Sequence, residues 1–243
     1  MALHFVTDAA AAAHPGDDVV LDGAEAHHAA VVRRLRVDED VTVGDGRGVW
    51  LTGRTTTVSP REVVVRVDDR RDEPAPQPRI LLAQALAKGD RDELAVQAAT
   101  ELGVDAILPW QAERSVSRWD AKAEKGVARW TTIVREASKQ AHRAWIPEVR
   151  PLAKTADLVA LAADNRMLLL EPRATETLSA TELVAAGGDV ILVVGPEGGI
   201  APGELAALEG AGARPVRLGR TVLRTSTAGA AALAVVSVRL GRW

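Results

Sequence analysis

The sequence predicts an α/β protein: a Rossmann-like parallel sheet preceded by a small β-rich module. Three observations carry this. Beyond residue 80, short apolar runs alternate with stretches of helix length, the βαβα order of a parallel sheet. Before residue 73, brief β-branched runs are broken by glycine and proline. Between the two, Glu73-Pro74-Ala75-Pro76-Gln77-Pro78 makes a stiff extended link. The chain is therefore expected to divide into 1–73 and 74–243.

In the first part, Val41 to Val43, Val49 to Leu51, Thr55 to Val58 and Val63 to Val67 read as strands of a closed or half-closed barrel. One helical segment, Ala24 to Leu35, carries His27, His28, Arg33 and Arg34, with Arg36 just beyond. In the second part, Ile80 to Leu82 starts a buried strand. Asp90-x-x-Glu93 reads as a capping box opening a helix that Gly103 ends. Val104 to Leu108 gives the next strand, and a long helix is expected from about Asp120 to Arg143. Met167 to Leu170 and Val190 to Val194 read as core strands, with a helix capped by Ser179-x-x-Glu182 between them. Pro202 suits the first turn of a helix through Leu205 and Leu208. A short strand, Pro215 to Leu218, leads to a last helix from Thr225 to Leu240, closed by Gly241.

Composition narrows the function classes. The chain of 243 residues is 47% apolar, enough for a core, and has no cysteine, which removes disulfides, thiolate zinc sites and cysteine nucleophiles. The longest apolar run near the end, Ala228 to Val236, falls short of the roughly 20 residues a membrane helix needs. A soluble cytoplasmic protein without membrane or metal partners is expected. Net charge is −3 overall: −5 over 1–73, +2 over 74–150 and 0 over 151–243. Any nucleic-acid surface must then be a local arginine patch.

The organising stretch is Asp189 to Ile200, D-V-I-L-V-V-G-P-E-G-G-I. Five apolar residues, buried on both faces, stop at Gly195-Pro196, and Glu197-Gly198-Gly199 precede a helix start. Strand, glycine turn and helix is where an open α/β sheet presents backbone N–H groups to a ligand. The spacing is neither G-x-G-x-x-G nor a Walker loop. A second glycine turn, L-G-R-T-V-L-R-T-S-T-A from Leu218 to Ala228, again follows a short strand and precedes a helix.

Together the two turns resemble the cofactor loops of the SPOUT, or α/β-knot, methyltransferases. Within that class the chain resembles the ribosomal RNA small subunit methyltransferase E family, which methylates N3 of a uridine in 16S rRNA. The likeness extends to A-L-A-K-G-D (85–90), T-E-L-G-V (100–104), Pro109 with E-R-S-V (113–116), the helix residues Arg135, Glu136, Gln140 and Arg143 with Pro147, and H-H-A-A-V-V-R-R-L-R (27–36). It covers nearly the whole chain.

The resemblance implies a C-terminal trefoil knot, a PUA-like RNA-binding barrel over 1–73, a homodimer, and S-adenosylmethionine (SAM) as cofactor. It implies that SAM is held by Leu170, Glu171, Gly195, Glu197, Gly198, Gly199, Leu218, Gly219, Leu223, Arg224, Thr225 and Ser226. Arg224 and Glu197 are the candidate catalytic residues. Arg33, Arg34, Arg36, Lys88, Arg114, Arg135, Lys139 and Arg143 are candidates for contact with 16S rRNA, positions 135, 139 and 143 falling at i, i+4 and i+8 of one helix. The family usually has an acidic residue where this chain has Ser226.

The residues themselves favour positioning chemistry. Of five histidines only His142 lies in the larger domain, with no nucleophile–base pair beside it, which argues against a Ser-His-Asp hydrolase. No H-E-x-x-H occurs, and tyrosine is absent. An arginine beside a glycine turn can stabilise charge developing on a substrate; alternatively Arg224 simply pairs with Glu197 or a carbonyl. Glu197 has three roles open to it: orienting the cofactor's amino group, pairing with Arg224, or bonding the turn's own N–H groups. Ser226 can hydrogen-bond, or cap the last helix with Thr225. A retained fold that binds RNA without methyl transfer is the competing function.

Overall fold

The computed structural model describes residues 2–183 and 188–243. These form two compact units, one of residues 2–75 with 138–146, the other of 76–137 with 147–183 and 188–243.

The first unit is a curled five-stranded half-barrel. Its strands are β1 (Leu3–Val6), β2 (Asp18–Asp22), β3 (Asp40–Gly44), β4 (Val49–Val58) and β5 (Glu62–Asp72), in spatial order β1-β3-β4-β5-β2. All neighbours are antiparallel except β1 and β3. Alternation along β2, with Val19 and Leu21 buried between exposed neighbours, sends one face into a core with Phe5, Val41, Val43, Leu51, Val63 and Val65. Two expected runs fuse into the single strand β4. Gly53 permits this, because a Cβ there would strike the Arg66 carbonyl at a bulge in the β4–β5 ladder. Sequence reading missed β1 and β2. It also drew one helix over 24–35 where the chain makes α1 (Gly23–His27), a π-helical turn (His28–Val32) and a left-handed Arg34 at φ 55°.

Residues 138–146 complete this unit. Ile146 N–H donates to the Gly46 carbonyl at 3.0 Å, Gly48 N–H to that of Ala144 at 3.1 Å, and the Trp145 indole to that of Glu73 at 2.9 Å. Gly48, at φ 110°, lies so close to Trp145 that a Cβ would come within 2.9 Å of the indole ring.

The second unit is a six-stranded, wholly parallel sheet. Its strands are β6 (Ile80–Ala85), β7 (Ala106–Trp110), β8 (Glu148–Val149), β9 (Arg166–Leu170), β10 (Val190–Val194) and β11 (Arg214–Val216), in spatial order β11-β9-β10-β6-β7-β8. The central strands β6 and β10 are buried along their full length, as a sheet covered on both faces requires. On one face α2 (Arg91–Glu101) meets α6 (Thr225–Arg239); on the other, α4 (Thr155–Ala162) meets α5 (Pro202–Gly210). Helix α3 (Ala123–Gln140) adds its residues 123–137 to this unit. After β9, residues 174–181 run beside the chain leaving β11. Arg217 N–H donates to the Glu176 carbonyl, Leu178 N–H to that of Arg217, and the Arg239 guanidinium at the end of α6 to the carbonyls of Leu178 and Thr181. This overlay lays the chain leaving β11 against the chain leaving β9, at the place where the family resemblance puts the C-terminal knot.

Several local expectations are corrected. Asp90 occupies the N-cap of α2 but makes no capping bond; the buried Asp92 carboxylate instead accepts N–H groups of Ala87 and Glu93, while Glu93 pairs with Arg129 at 2.8 Å. Among the described residues no helix starts at Ser179 ahead of β10: its hydroxyl turns back to Thr177 Oγ1 within a turn. The rest of that expected helix falls on 184–187, outside the described residues. Helix α4 was missed altogether. The long helix stops at Gln140, three residues short of Arg143.

Candidate functional site

In a wholly parallel sheet the carboxyl ends of all strands open on one side, where ligands bind in such folds. Here the ends of β9, β10 and β11 enclose a cavity of about 320 Å³. Each wall follows from local sequence. At the end of β10, Gly195 carries no Cβ because one would lie 2.9 Å from Ile200 Cγ1, and Gly199, at φ 72°, closes the turn by donating to the Pro196 carbonyl at 2.8 Å. Pro202 then begins α5, whose buried Glu204 takes the N–H of Ala201 at 3.3 Å and that of Glu113 at 2.9 Å. Beyond β11, residues 217–224 form the second turn. An ideal Cβ at Gly219 would meet no atom within 4 Å, so glycine leaves open space along this wall.

The two glycine turns meet across this one cavity. Of the residues expected at the site, Leu170, Glu171, Gly195, Glu197, Gly199, Leu218, Gly219, Leu223, Arg224 and Thr225 line it. Gly198 does not; it lines the adjoining open groove with Arg114, whose guanidinium donates to the Gly198 carbonyl at 3.1 Å. Ser226 lines neither, and it caps nothing: the N-cap of α6 is Arg224, without a side-chain capping bond. The Thr225 hydroxyl goes instead to the Gly195 carbonyl at 3.0 Å, a bond from one turn to the other.

Charges in the cavity are Arg91, Arg217 and Arg224 against Glu171 and Glu197. Glu197 is engaged away from Arg224: its Oε1 accepts the Lys88 N–H at 3.1 Å and faces Arg91 Nη1 at 3.2 Å. Arg224, by contrast, forms no ion pair among the described residues. Its carbonyl accepts the N–H groups of Thr227 and Ala228 at 2.9 Å, which fixes the backbone where the residue lines the cavity. Glu171 Oε1 accepts the Arg173 N–H at 3.1 Å. Sequence reading missed Arg91, Val194, Ile200 and Thr221 among the lining residues. Ile200 follows the glycine turn directly and could have been found; Arg91 reaches the site only because α2 starts beside it.

The nucleic-acid candidates scatter. Arg33, Arg34 and Arg36 are exposed on the half-barrel beside the exposed Val31 and Val32. Lys88 and Arg114 are exposed in the sheet unit. Arg135 and Arg143 are half-buried. Lys139 is buried, its ammonium 3.1 Å from the Glu25 carboxylate, so it cannot read phosphates from a helix face shared with Arg135 and Arg143. In the half-barrel unit His4 stacks on Trp50 at 4.3 Å and bonds Thr42 Oγ1 through Nδ1 at 2.9 Å. Burial, reinforced by His142 and Lys139, lowers its pKa to about 3. Among the described residues no cluster of three or more His, Asp or Glu side chains could hold a metal ion, and no helix is long and apolar enough to cross a membrane.

Comparison with known proteins agrees with this geometry. Residues 73–237 match an RNA methyltransferase domain, and 21–68 an RNA methyltransferase PUA domain. The chain is 46% identical over 235 residues to a ribosomal RNA small subunit methyltransferase E from Mycobacterium bovis, covering 94% of this chain and 89% of that one. It is 30% identical over 226 residues to the Bacillus subtilis protein of the same name, covering 89% and 88%. Among solved structures, a ribosomal RNA small subunit methyltransferase E from Neisseria gonorrhoeae bound to S-adenosyl methionine superposes with a TM-score of 0.85 at 29% identity, covering 98% of each chain.

Proposed function

Because the chain belongs to the ribosomal RNA small subunit methyltransferase E family, we propose that it transfers a methyl group from SAM to N3 of a uridine in 16S rRNA. The observation that carries this reading is the meeting of the turns 195–199 and 218–225 in one cavity at the sheet's carboxyl edge. The cavity suits the cofactor. Leu170, Val194, Ile200, Leu218 and Leu223 offer an apolar bed, glycine keeps the wall open at 219, and the Glu171 carboxylate stands ready for a cationic amino group.

When bound, SAM supplies an activated methyl on a sulfonium, so the chain's share of the work is alignment and charge stabilisation. Alignment of reacting groups is worth roughly 7–11 kcal/mol. A uracil N3 becomes nucleophilic as its proton leaves, and the resulting charge spreads over O2 and O4. Arg224, unpaired at the cavity wall, is the group assigned to stabilise those oxygens. Glu197 acts differently: held by the Lys88 N–H and Arg91, it anchors the glycine turn to the start of α2. N3 lies on the Watson–Crick edge, so the uridine must be unpaired or flipped out. The half-barrel, with Arg33, Arg34 and Arg36, supplies phosphate contacts, and Arg114 and Lys88 supply others beside the cavity. The working form is a cytoplasmic homodimer.

Mass mapping of methylated nucleosides in 16S rRNA, from cells with and without the gene, tests the proposal. One N3-methyluridine should vanish with the gene and return when the purified protein and SAM are added to small subunits. An unchanged nucleoside profile rejects it and leaves an RNA-binding role without transfer.

A further inference from the structure

Strand β6 is apolar but for one residue. Gln84 is fully buried and does not line the cavity. A buried primary amide is costly unless it is hydrogen-bonded. This one spends both N–H groups: one on the Ala85 carbonyl at 3.1 Å, the other on Thr225 Oγ1 at 2.9 Å. Its own oxygen has no partner among the described residues. The Thr225 hydroxyl, having accepted that bond, gives its single proton to the Gly195 carbonyl at 3.0 Å. The relay therefore has one direction: amide to hydroxyl to carbonyl.

Three segments far apart in sequence are joined this way. Gln84 pairs with Val194 in the β6–β10 ladder, so Gly195 is the next residue along. Thr225 is the first residue of α6 and follows Arg224 directly. Close packing at Gly229, where a Cβ would come within 3.1 Å of Leu82, holds the same helix against the same strands one turn on. We infer that Gln84 is a positioning residue: acting through Thr225, it locks the two cavity turns against each other and sets where Arg224 stands. Its bearing on methyl transfer rests on the function proposed above; the lock itself does not.

The lock needs a donor at 84 and a hydroxyl at 225, whereas a mere core filler would accept an apolar side chain of similar size. The test compares Gln84→Leu, Gln84→Glu, Thr225→Val and Thr225→Ser with the unaltered protein, all confirmed folded. It measures methyl incorporation at saturating SAM, affinity for S-adenosylhomocysteine, and amide hydrogen exchange over 195–200 and 224–228. The first three variants are expected to lose at least tenfold in kcat while S-adenosylhomocysteine affinity moves less than threefold. Both turns should exchange faster together, and Gln84→Leu with Thr225→Val should be no worse than the poorer single variant. Thr225→Ser, which keeps the hydroxyl, should leave amide exchange in both turns at the unaltered rate. Should Gln84→Leu fail to fold, the Thr225 pair decides alone. Wild-type kcat and exchange in folded Thr225→Val overturn the inference, as does an equal loss of kcat and affinity. If the unaltered protein transfers no methyl, the proposed function fails, and exchange in the two turns still decides the lock.

Discussion

Replacing Arg224 by alanine separates chemistry from architecture more cleanly than any other change at the site. The residue is exposed at the cavity wall, pairs with no carboxylate among the described residues, and holds φ −66° and ψ 153°, a conformation alanine adopts without strain. Its carbonyl bonds to Thr227 and Ala228 survive the change. Folding stability should therefore move by no more than ~0.5 kcal/mol, as for a surface substitution. If the guanidinium meets the charge developing on the uracil, its loss removes one preorganised electrostatic contact, ~2.7–4 kcal/mol, or 10²–10³ in kcat. If SAM rests on the turn's main chain rather than on this side chain, its affinity should stay within about tenfold, ~1.4 kcal/mol. Labelled methyl incorporation into small-subunit RNA gives the rate, calorimetry the affinity, and thermal melting the stability. Turnover within threefold of the unaltered protein would refute the assignment. A matching loss of SAM affinity would make Arg224 a cofactor anchor instead.

Three further outcomes follow from the half-barrel unit. His4, with its pKa lowered from 6.5 to about 3, is held neutral in the fold, so stability from this site is complete above about pH 6.5 and declines as pH falls towards 3. The slope is at most ~1.4 kcal/mol per pH unit; His4→Phe should flatten that part of a urea-denaturation series between pH 7 and 4, and an unaltered slope would rule the site out. Glu25→Ala removes the carboxylate 3.1 Å from the buried Lys139 ammonium and should cost up to ~3–5 kcal/mol by chemical denaturation; a cost below ~1 kcal/mol would show the pair to be solvated. Neutralising Arg33, Arg34 and Arg36 together should weaken RNA binding and reduce the salt slope of log K by about one for each phosphate left unneutralised, whereas an unchanged slope places the RNA elsewhere.

What the sequence disclosed and what it withheld divide along one physical line. Buried parallel strands such as Val190–Val194, and the glycine turn after them, are local signals: an apolar run with no alternation and residues without Cβ where the chain must bend sharply. The two turns were therefore visible, and with them most of the cavity wall. Contacts set by tertiary approach were not. Arg91 on Glu197, Gln84 on Thr225 and Lys139 on Glu25 join positions 106, 141 and 114 residues apart. Lys139 shows the cost most plainly: its spacing from Arg135 and Arg143 suggests a phosphate-reading helix face, and the Glu25 carboxylate draws it inside. Ser179-x-x-Glu182 has the letters of a capping box, yet Ser179 and Thr181 spend their hydroxyls on Thr177 within a turn. Strand β1 was missed because four residues paired with β3, 38 positions on, leave no alternation long enough to read.

Calorimetric titration with SAM tests the central claim, that the two turns make one cofactor site. The folded protein should give a saturable isotherm with SAM and with S-adenosylhomocysteine. Binding should be lost when Gly195→Val drives a side chain into Ile200 on one turn, and again when Leu223→Asp places a charge on the other. No heat from either compound on the folded protein, or affinity unmoved by both substitutions, would contradict it.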